Sequence, residues 1–335
     1  MPDALFAPMF LPDVPLHERW FVPSASGGDW GFFFSWLPLT LAALVVAVTV
    51  VWRLVALRLD RPELPFLAPV GRLVPWVPRL LGIHLGVALL ALAATGAFLT
   101  PAVDLDGPTG GALLLVEAAL GVWLVTGIRL RPAAALVLAL GPVLALATGP
   151  MALLECANLA AVAGFLLVLP PGADRHGAVA ASPAQTRWAL LVLRAGVGVA
   201  LVALAFSEKL TNPVMAVHTL EEFPALDVFA LVGIHLSPET FVAVAGAVEL
   251  LFGLLVLSGA LPQVAVLVAA VPFNATLVLF GQTELVGHLP VYGVFLALLA
   301  YGSDADTFRA VRWLPGRRSL RRTGRVPVET AVEAA

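Results

Sequence analysis

Residues 239–259 read ETFVAVAGAVELLFGLLVLSG, an apolar run in which Glu249 is the one internal charge. A helix needs roughly 20 consecutive apolar residues to cross the hydrocarbon core of a bilayer, and this stretch is long enough. The whole chain has the same character, because 60% of its 335 residues are apolar, 12% are charged and the mean hydropathy is +0.96. A soluble domain could not cover so much apolar surface, so the sequence predicts an all-α integral membrane protein.

The same length criterion, applied along the chain, predicts about nine transmembrane helices. Only Gly149 and Pro150 separate the fourth from the fifth, but roughly 37 apolar residues are too many for one crossing. The predicted helices are 35–57, 80–100, 111–129, 133–149, 151–170, 188–208, 239–259, 262–281 and 284–302.

The charged residues test this count, because alternate loops of a nine-helix chain lie on opposite sides. Only two of the 19 basic residues, Arg19 and Lys209, fall on the side that is otherwise acidic. Loops rich in Lys and Arg stay in the cytoplasm. The sequence therefore predicts a multi-pass protein of the plasma (cytoplasmic) membrane, with its N-terminus outside and its C-terminus in the cytoplasm.

Two parts of the chain share small and acidic residues at matching positions, which predicts one leading helix and two tandem, parallel four-helix units. The matched pairs, at offsets of 112 and then 132 residues, are Gly86–Gly198, Glu117–Glu249, Gly121–Gly253, Gly127–Gly259 and Gly149–Gly281. The predicted organisation is an extracytoplasmic segment 1–34, a leading helix and cytoplasmic loop 35–78, a degenerate first unit 79–186, a second unit 187–303 and a basic cytoplasmic tail 304–335.

Several motifs of the second unit stand together over residues 187–301. They are Arg194, Phe206-Ser207-Glu208-Lys209-Leu210, the run from Glu249 to Gly259, and Gly287-His288-Leu289-Pro290. With them the second unit resembles the DoxX/DoxD-type family of four-helix bacterial membrane proteins. The resemblance implies association with redox systems, including quinone- and thiosulfate-linked enzymes and superoxide- or thiol-handling complexes, and hence a redox protein partner.

The first unit departs from this pattern. Of the matched polar residues it keeps only Glu117, while Gly82, Gly96-Ala97 and Cys156 stand where the second unit has Arg194, Glu208-Lys209 and His288. Ionisable groups at membrane depth are costly and are retained where they pair or function. We therefore expect the second unit to carry the activity and the first unit to support it.

Polar residues of the second unit form the candidate site. Arg194 and Glu249 both approach the middle of the bilayer, which predicts an ion pair of structural or functional role. Glu284 and His288, at i and i+4, share a helical face. With Glu208, Lys209 and His218 they predict an outward-facing polar pocket under the loop 210–237, which we expect to contain a short interfacial helix.

The same residues indicate which cofactors the chain could bind. His288 is a candidate proton-coupled group for a quinone-like ligand, although a helix-end histidine bonded to water or backbone stays open. His84 and His288 lie near opposite ends of their helices and could not clamp one haem. The single cysteine, Cys156, excludes a four-cysteine iron–sulfur or zinc site and is expected to be inert packing. A glutamate and two histidines could bind a divalent metal, but their spacing is not diagnostic, so no metal site is predicted.

The remaining partner is the membrane itself. The arginine-rich tail is expected to bind anionic lipid headgroups and not nucleic acid; its members are Arg317, Arg318, Arg321, Arg322 and Arg325. Three functions stay open at this level. They are a redox-associated membrane component, a small-molecule transporter suggested by the tandem units, and a non-catalytic scaffold or assembly factor.

Overall fold

The computed structural model describes residues 28–169 and 181–315. The predicted N-terminal segment up to residue 27 and the tail arginines from Arg317 onward lie outside the described residues. The helices are Trp30–Phe33 (α1), Trp36–Arg58 (α2), Val77–Thr95 (α3), Gly107–Thr126 (α4), Leu130–Thr148 (α5), Met151–Glu155 (α6), Ala157–Val168 (α7), Pro183–Leu204 (α8), Pro213–Glu222 (α9), Pro238–Ser258 (α10), Pro262–Phe280 (α11), Gln282–Ser303 (α12) and Phe308–Val311 (α13).

Eight helical segments within these residues are long and apolar enough to cross a membrane. Two of them are extended, because a 3₁₀ segment Pro65–Trp76 leads into α3 and a π segment Ala205–Leu210 continues α8. The chain is therefore an all-α protein with the segments of a multi-pass membrane protein, as predicted. The eight are α2, α3 with its 3₁₀ segment, α4, α5, α8 with its π segment, α10, α11 and α12.

The structure differs from the prediction of one helix over residues 151–170. A break at Cys156 divides it into the five-residue α6 and the 12-residue α7, so neither part is long enough to cross alone. Cys156 has φ −90° and ψ 14°, which is outside the helical region. The count of nine crossings thus stays a prediction, and the break places Glu155 and Cys156 in the cavity described below.

Successive long helices run in opposite directions, so the bundle has two chemically different ends. At one, which we call the arginine end, α2, α4, α7, α10 and α12 terminate. At the other, the acidic end, the connections carry Asp104, Asp106, Glu221, Glu222 and Asp227. The predicted short helix in the loop 210–237 lies here as α9, beside the shorter 3₁₀ turns Pro224–Leu226 and Ala230–Val232.

Arginine side chains bind the backbone carbonyls with which helices terminate at the arginine end. The last carbonyls of a helix lack partners within the helix and carry partial negative charge, so a guanidinium satisfies both needs. Four helix ends are held in this way, through the contacts Arg312–Leu59 O (2.8 Å) beyond α2, Arg79–Leu124 O (3.3 Å) on α4, Arg131–Leu167 O (2.9 Å) on α7, and Arg53–Ser258 O (3.0 Å) with Arg194–Leu257 O (3.1 Å) on α10.

The matched glycines lie at matched helix crossings. A Cβ on Gly86 would be 2.7 Å from the carbonyl oxygen of Gly121, and a Cβ on Gly198 would be 2.9 Å from that of Gly253. Both distances are too short for a side chain, so α3 contacts α4, and α8 contacts α10, at backbone distance. In addition α3 packs on α12 and α8 packs on α7, so the first helix of each half contacts the last helix of the other.

The turns after these crossings also share one backbone geometry. Gly127 and Gly259 end α4 and α10 with φ of 74° and 64°, where glycine has no steric cost. Two residues later, Arg129 and Leu261, which immediately precede α5 and α11, have φ of 48° and 44°. The same turn thus occurs in both halves at an offset of 132 residues.

Candidate functional site

A cavity lies in the acidic half of the bundle, between α3, α6, α7, α8, α11 and α12. With its open mouth it contains about 630 Å³ of space free of atoms, of which about 40 Å³ admits the centres of water molecules. That space is enough for a few waters. Its lining is mainly apolar, and the polar side chains on it are Thr100, Glu155, Cys156, Asn158 and His288.

Glu284 and His288 form a buried acid–base pair on the first turns of α12. The His288 Nδ1 atom lies 3.2 Å from Glu284 Oε1, and the two residues are 7% and 2% exposed. The edge of the Phe273 ring meets the imidazole, with ring centroids 4.9 Å apart. The predicted i, i+4 pairing is therefore present, and it places an imidazole with a carboxylate partner on the cavity wall. The arrangement therefore brings a potential proton donor and a potential proton acceptor side by side.

The π segment 205–210 directs a second set of polar side chains. Its wider turn is held by Thr211, whose backbone N–H and Oγ1 both donate to the Phe206 carbonyl at 2.9 and 2.8 Å. Single π turns inside α-helices are frequent at functional sites. Here Ser207 Oγ donates a 2.8 Å hydrogen bond to Glu155 Oε1 on α6. This bond links the π segment to the cavity wall.

On the other side of the π segment, Lys209 lies between two carboxylates. Its Nζ atom is 3.1 Å from Glu208 Oε2 and 3.1 Å from Glu249 Oε2. Glu208 is fully buried, while the side chains of Lys209 and Glu249 are about one fifth exposed. These three predicted residues are thus brought together. Glu208 and Lys209 directly follow Ser207, which is bonded to the cavity wall. None of the three charged residues lines the cavity itself.

The predicted ion pair between Arg194 and Glu249 is wrong. Arg194 donates to the carbonyls of Leu257 at 3.1 Å and Trp313 at 2.6 Å, and Glu249 instead contacts Lys209. Because α8 and α10 are antiparallel, Arg194 is level with Leu257, which is eight residues, or about 12 Å, along the helix from Glu249. Arg194 therefore belongs to the arginine end and not to the candidate site.

The prediction that His218 belongs to the polar pocket is also wrong. It is exposed on α9 and is not part of the cavity wall. The predicted polar pocket at the acidic end therefore keeps Glu284 and His288, has the Glu208–Lys209–Glu249 cluster beside it, and loses Arg194 and His218. Among the residues that the structure describes, no three His, Cys, Asp or Glu side chains are grouped so that they could hold a metal ion.

Sequence reasoning missed Glu155 and Ser207 and did not place Cys156 in the site, while the expectation that its thiol is inert stays a prediction. A signal for Cys156 was present, because it stands at the position of the first half that matches His288. The two matched residues line one cavity. Glu117 and its match Glu249 also have similar surroundings. Glu117 Oε1 accepts a 3.0 Å hydrogen bond from the Leu99 N–H, in the turn after α3. Glu249 contacts Lys209, in the segment after α8.

Comparison with family models, curated proteins and solved structures gives no match to this chain.

Proposed function

We propose that this chain is a membrane component of a redox-associated system, in which the Glu284–His288 pair exchanges protons with a quinone-type ligand. The observation that carries the proposal is the buried carboxylate–imidazole pair whose imidazole lines a cavity between apolar helices. Reduction of a quinone to a quinol takes up two electrons and two protons. In this proposal a redox partner protein supplies the electrons, and the pair supplies or relays protons.

The surroundings of the pair suit a flat, apolar ring with polar oxygens. Phe273 offers an aromatic edge beside His288, and most of the remaining wall is aliphatic. Glu155 places a second carboxylate on the same wall. The space that water-sized molecules can enter holds only a few waters, so in this proposal the ring binds at the mouth of the cavity, with one oxygen directed towards His288.

The proposal includes the finer organisation of the chain. It takes the two halves as tandem four-helix units, the second of DoxX type, in a bacterial plasma membrane with the arginine end in the cytoplasm. The matched glycine crossings and the matched turns after α4 and α10 support the duplication. The concentration of arginines at one end supports the orientation.

A small-molecule transporter is the second candidate, because the cavity lies between the two halves and is bounded by α3 and α7 of one and α8, α11 and α12 of the other. Sites between repeats are typical of secondary transporters. A transporter would bind its ligand without a redox partner. A scaffold or assembly factor would hold no ligand in the cavity.

Organic-solvent extraction of the purified protein separates these functions. We expect a quinone to be recovered in near-stoichiometric amount from wild-type protein, and much less from a His288→Gln variant of equal thermal stability. A His218→Gln variant is the matched control, because that histidine is exposed and outside the cavity. Equal recovery from all three proteins would mean that the quinone is bulk lipid, and absence of quinone throughout would favour a scaffold.

A further inference from the structure

Three arginines converge where α10 ends, far from the cavity. Arg53 and Arg194 donate to the carbonyls of the successive residues Ser258 and Leu257, at 3.0 and 3.1 Å. Arg194 also donates to the carbonyl of Trp313, the residue after Arg312. Arg312 in turn donates to the carbonyls at the end of α2. We call Arg53, Arg194 and Arg312 the guanidinium cluster.

The negative charge around the guanidinium cluster does not equal its positive charge. Among the described residues, Glu63 is the one carboxylate that any of the three contacts, with its Oε1 2.9 Å from Arg312 Nη2. The C-terminal ends of α2 and α10 contribute about half a negative charge each. Three positive charges thus face about two negative ones, so the cluster retains a net positive charge of about one.

Unsatisfied donors lie at the same place. Arg194 Nε, Arg312 Nε and Trp52 Nε1 are buried without a hydrogen-bond acceptor. Trp52 precedes Arg53 on α2 and packs with Ala260 and Leu261, immediately after α10. Buried donors without partners are rare in folded proteins. Excess positive charge together with such donors indicates that the cluster accommodates an anion.

We propose that the guanidinium cluster binds the phosphate group of an anionic phospholipid, which reaches it through Arg53 and Trp52. A guanidinium matches phosphate oxygens in a two-pronged geometry. Arg53 is only partly buried, and the neighbouring side chains Val51, Leu54 and Val55 on α2 are exposed and apolar. Exposed apolar side chains of this kind face lipid, so in this proposal the anion that reaches Arg53 is a headgroup whose acyl chains lie against them.

The depth of Arg53 suits a lipid headgroup. Arg58 is the last residue of α2, five residues beyond Arg53, so the two Cα atoms are about 7.5 Å apart along the helix. Arginines at this depth reach phosphate groups through their long side chains and through local thinning of the bilayer. The tryptophan beside it is typical of the membrane interface, where its ring N–H finds a polar partner.

The test measures binding of phosphatidylglycerol to the delipidated full-length protein by native mass spectrometry, together with thermal unfolding in phosphatidylcholine micelles. The variants are Arg53→Gln and Trp52→Phe. The second removes the indole N–H together with the five-membered ring, and keeps one aromatic ring against Ala260 and Leu261. Arg58→Gln is the matched control, because Arg58 is an exposed arginine on the same helix.

We expect wild-type protein and Arg58→Gln to retain phosphatidylglycerol and to unfold at a higher temperature in its presence. Trp52→Phe should bind several-fold more weakly, and Arg53→Gln on the order of tenfold more weakly. Arg53→Gln also loses its bond to the Ser258 carbonyl, so it should unfold at a somewhat lower temperature in phosphatidylcholine. Wild-type binding by Trp52→Phe would overturn the proposal even if Arg53→Gln failed to fold. Equal stabilisation by excess inorganic phosphate would overturn the assignment to a lipid.

Discussion

Cys156 and His288, which stand 132 residues apart in the chain, line the same cavity at the acidic end of the bundle. They occupy matched positions of the two halves, so the cavity takes one chemically distinct residue from each. Glu155, beside Cys156, adds a carboxylate from the first half. The expectation that the second half carries the activity and the first supports it stays a prediction. The lining of the cavity adds the prediction that variants in both halves impair ligand binding.

The position of Cys156 predicts ligand-dependent reactivity of the one thiol in the chain. A small methanethiosulfonate reagent should modify Cys156 slowly, because the residue is only partly exposed and the Glu155 carboxylate beside it disfavours the thiolate. Duroquinone, whose ring is fully substituted and does not add thiols, should slow this modification several-fold if it occupies the mouth. Mass spectrometry of the intact protein after timed quenching measures the rate. A Cys156→Ala variant is the control, and equal rates with and without duroquinone would place the ligand elsewhere.

Arg194 should matter more for stability than Glu249. Removing the Arg194 guanidinium leaves two buried carbonyls without their charged donor, so Arg194→Gln should lower the free energy of unfolding by about 3 kcal/mol. Glu249→Gln removes a partly exposed contact from Lys209, which retains Glu208, and should cost about 1 kcal/mol or less. Unfolding in detergent compares both with Arg187→Gln, an exposed arginine on α8. A larger loss for Glu249→Gln would contradict this assignment.

Glu117 should tolerate a neutral amide but not an apolar side chain. Its Oε1 accepts from the buried Leu99 N–H, and a glutamine can accept the same bond. Glu117→Gln should therefore unfold within about 0.5 kcal/mol of wild type. Glu117→Leu leaves that N–H unsatisfied and should cost about 1–3 kcal/mol. The measurement is thermal or denaturant unfolding of the two variants side by side, and equal losses would show that the hydrogen bond is not what the residue contributes.

Opposite ends of the bundle should be accessible from opposite sides of the membrane. On a Cys156→Ala background, Glu222→Cys at the acidic end should react with a membrane-impermeant maleimide added to intact cells. Arg187→Cys, at the arginine end, should react only after the cells are opened. Both positions are exposed in the bundle. Labelling of both from outside would overturn the predicted orientation.

Much of the fold could be predicted from the sequence, because the length of an apolar run and the residues that end a helix are local signals. The predicted helices 239–259 and 262–281 lie within one residue of α10 and α11, with glycine after each. The 3₁₀ segment before α3 was missed because Pro65, Pro69 and Pro75 read as a loop. The break at Cys156 was missed because no glycine or proline marks a helix end there, and the apolar run continues on both sides of Glu155 and Asn158.

The candidate site was readable only where its residues share a helix. The Glu284–His288 pair followed from spacing. The Ser207–Glu155 hydrogen bond joins residues 52 positions apart on different helices, which spacing within one helix cannot reveal. The Arg194–Glu249 pair was predicted from the depth of each residue within its own helix. The sequence does not show how the antiparallel helices α8 and α10 are aligned, and contact between Gly198 and Gly253 sets the two residues about 12 Å apart along the helix.

The most direct test of the account is equilibrium binding of duroquinone to the purified protein and to two single-histidine variants. The account predicts equal dissociation constants for wild type and for His218→Gln. It predicts a dissociation constant about tenfold higher for His288→Gln, equivalent to about 1.4 kcal/mol, with an unchanged unfolding temperature. Binding of duroquinone by His288→Gln with wild-type affinity, or no binding by the wild-type protein, would contradict the proposed role of the Glu284–His288 pair.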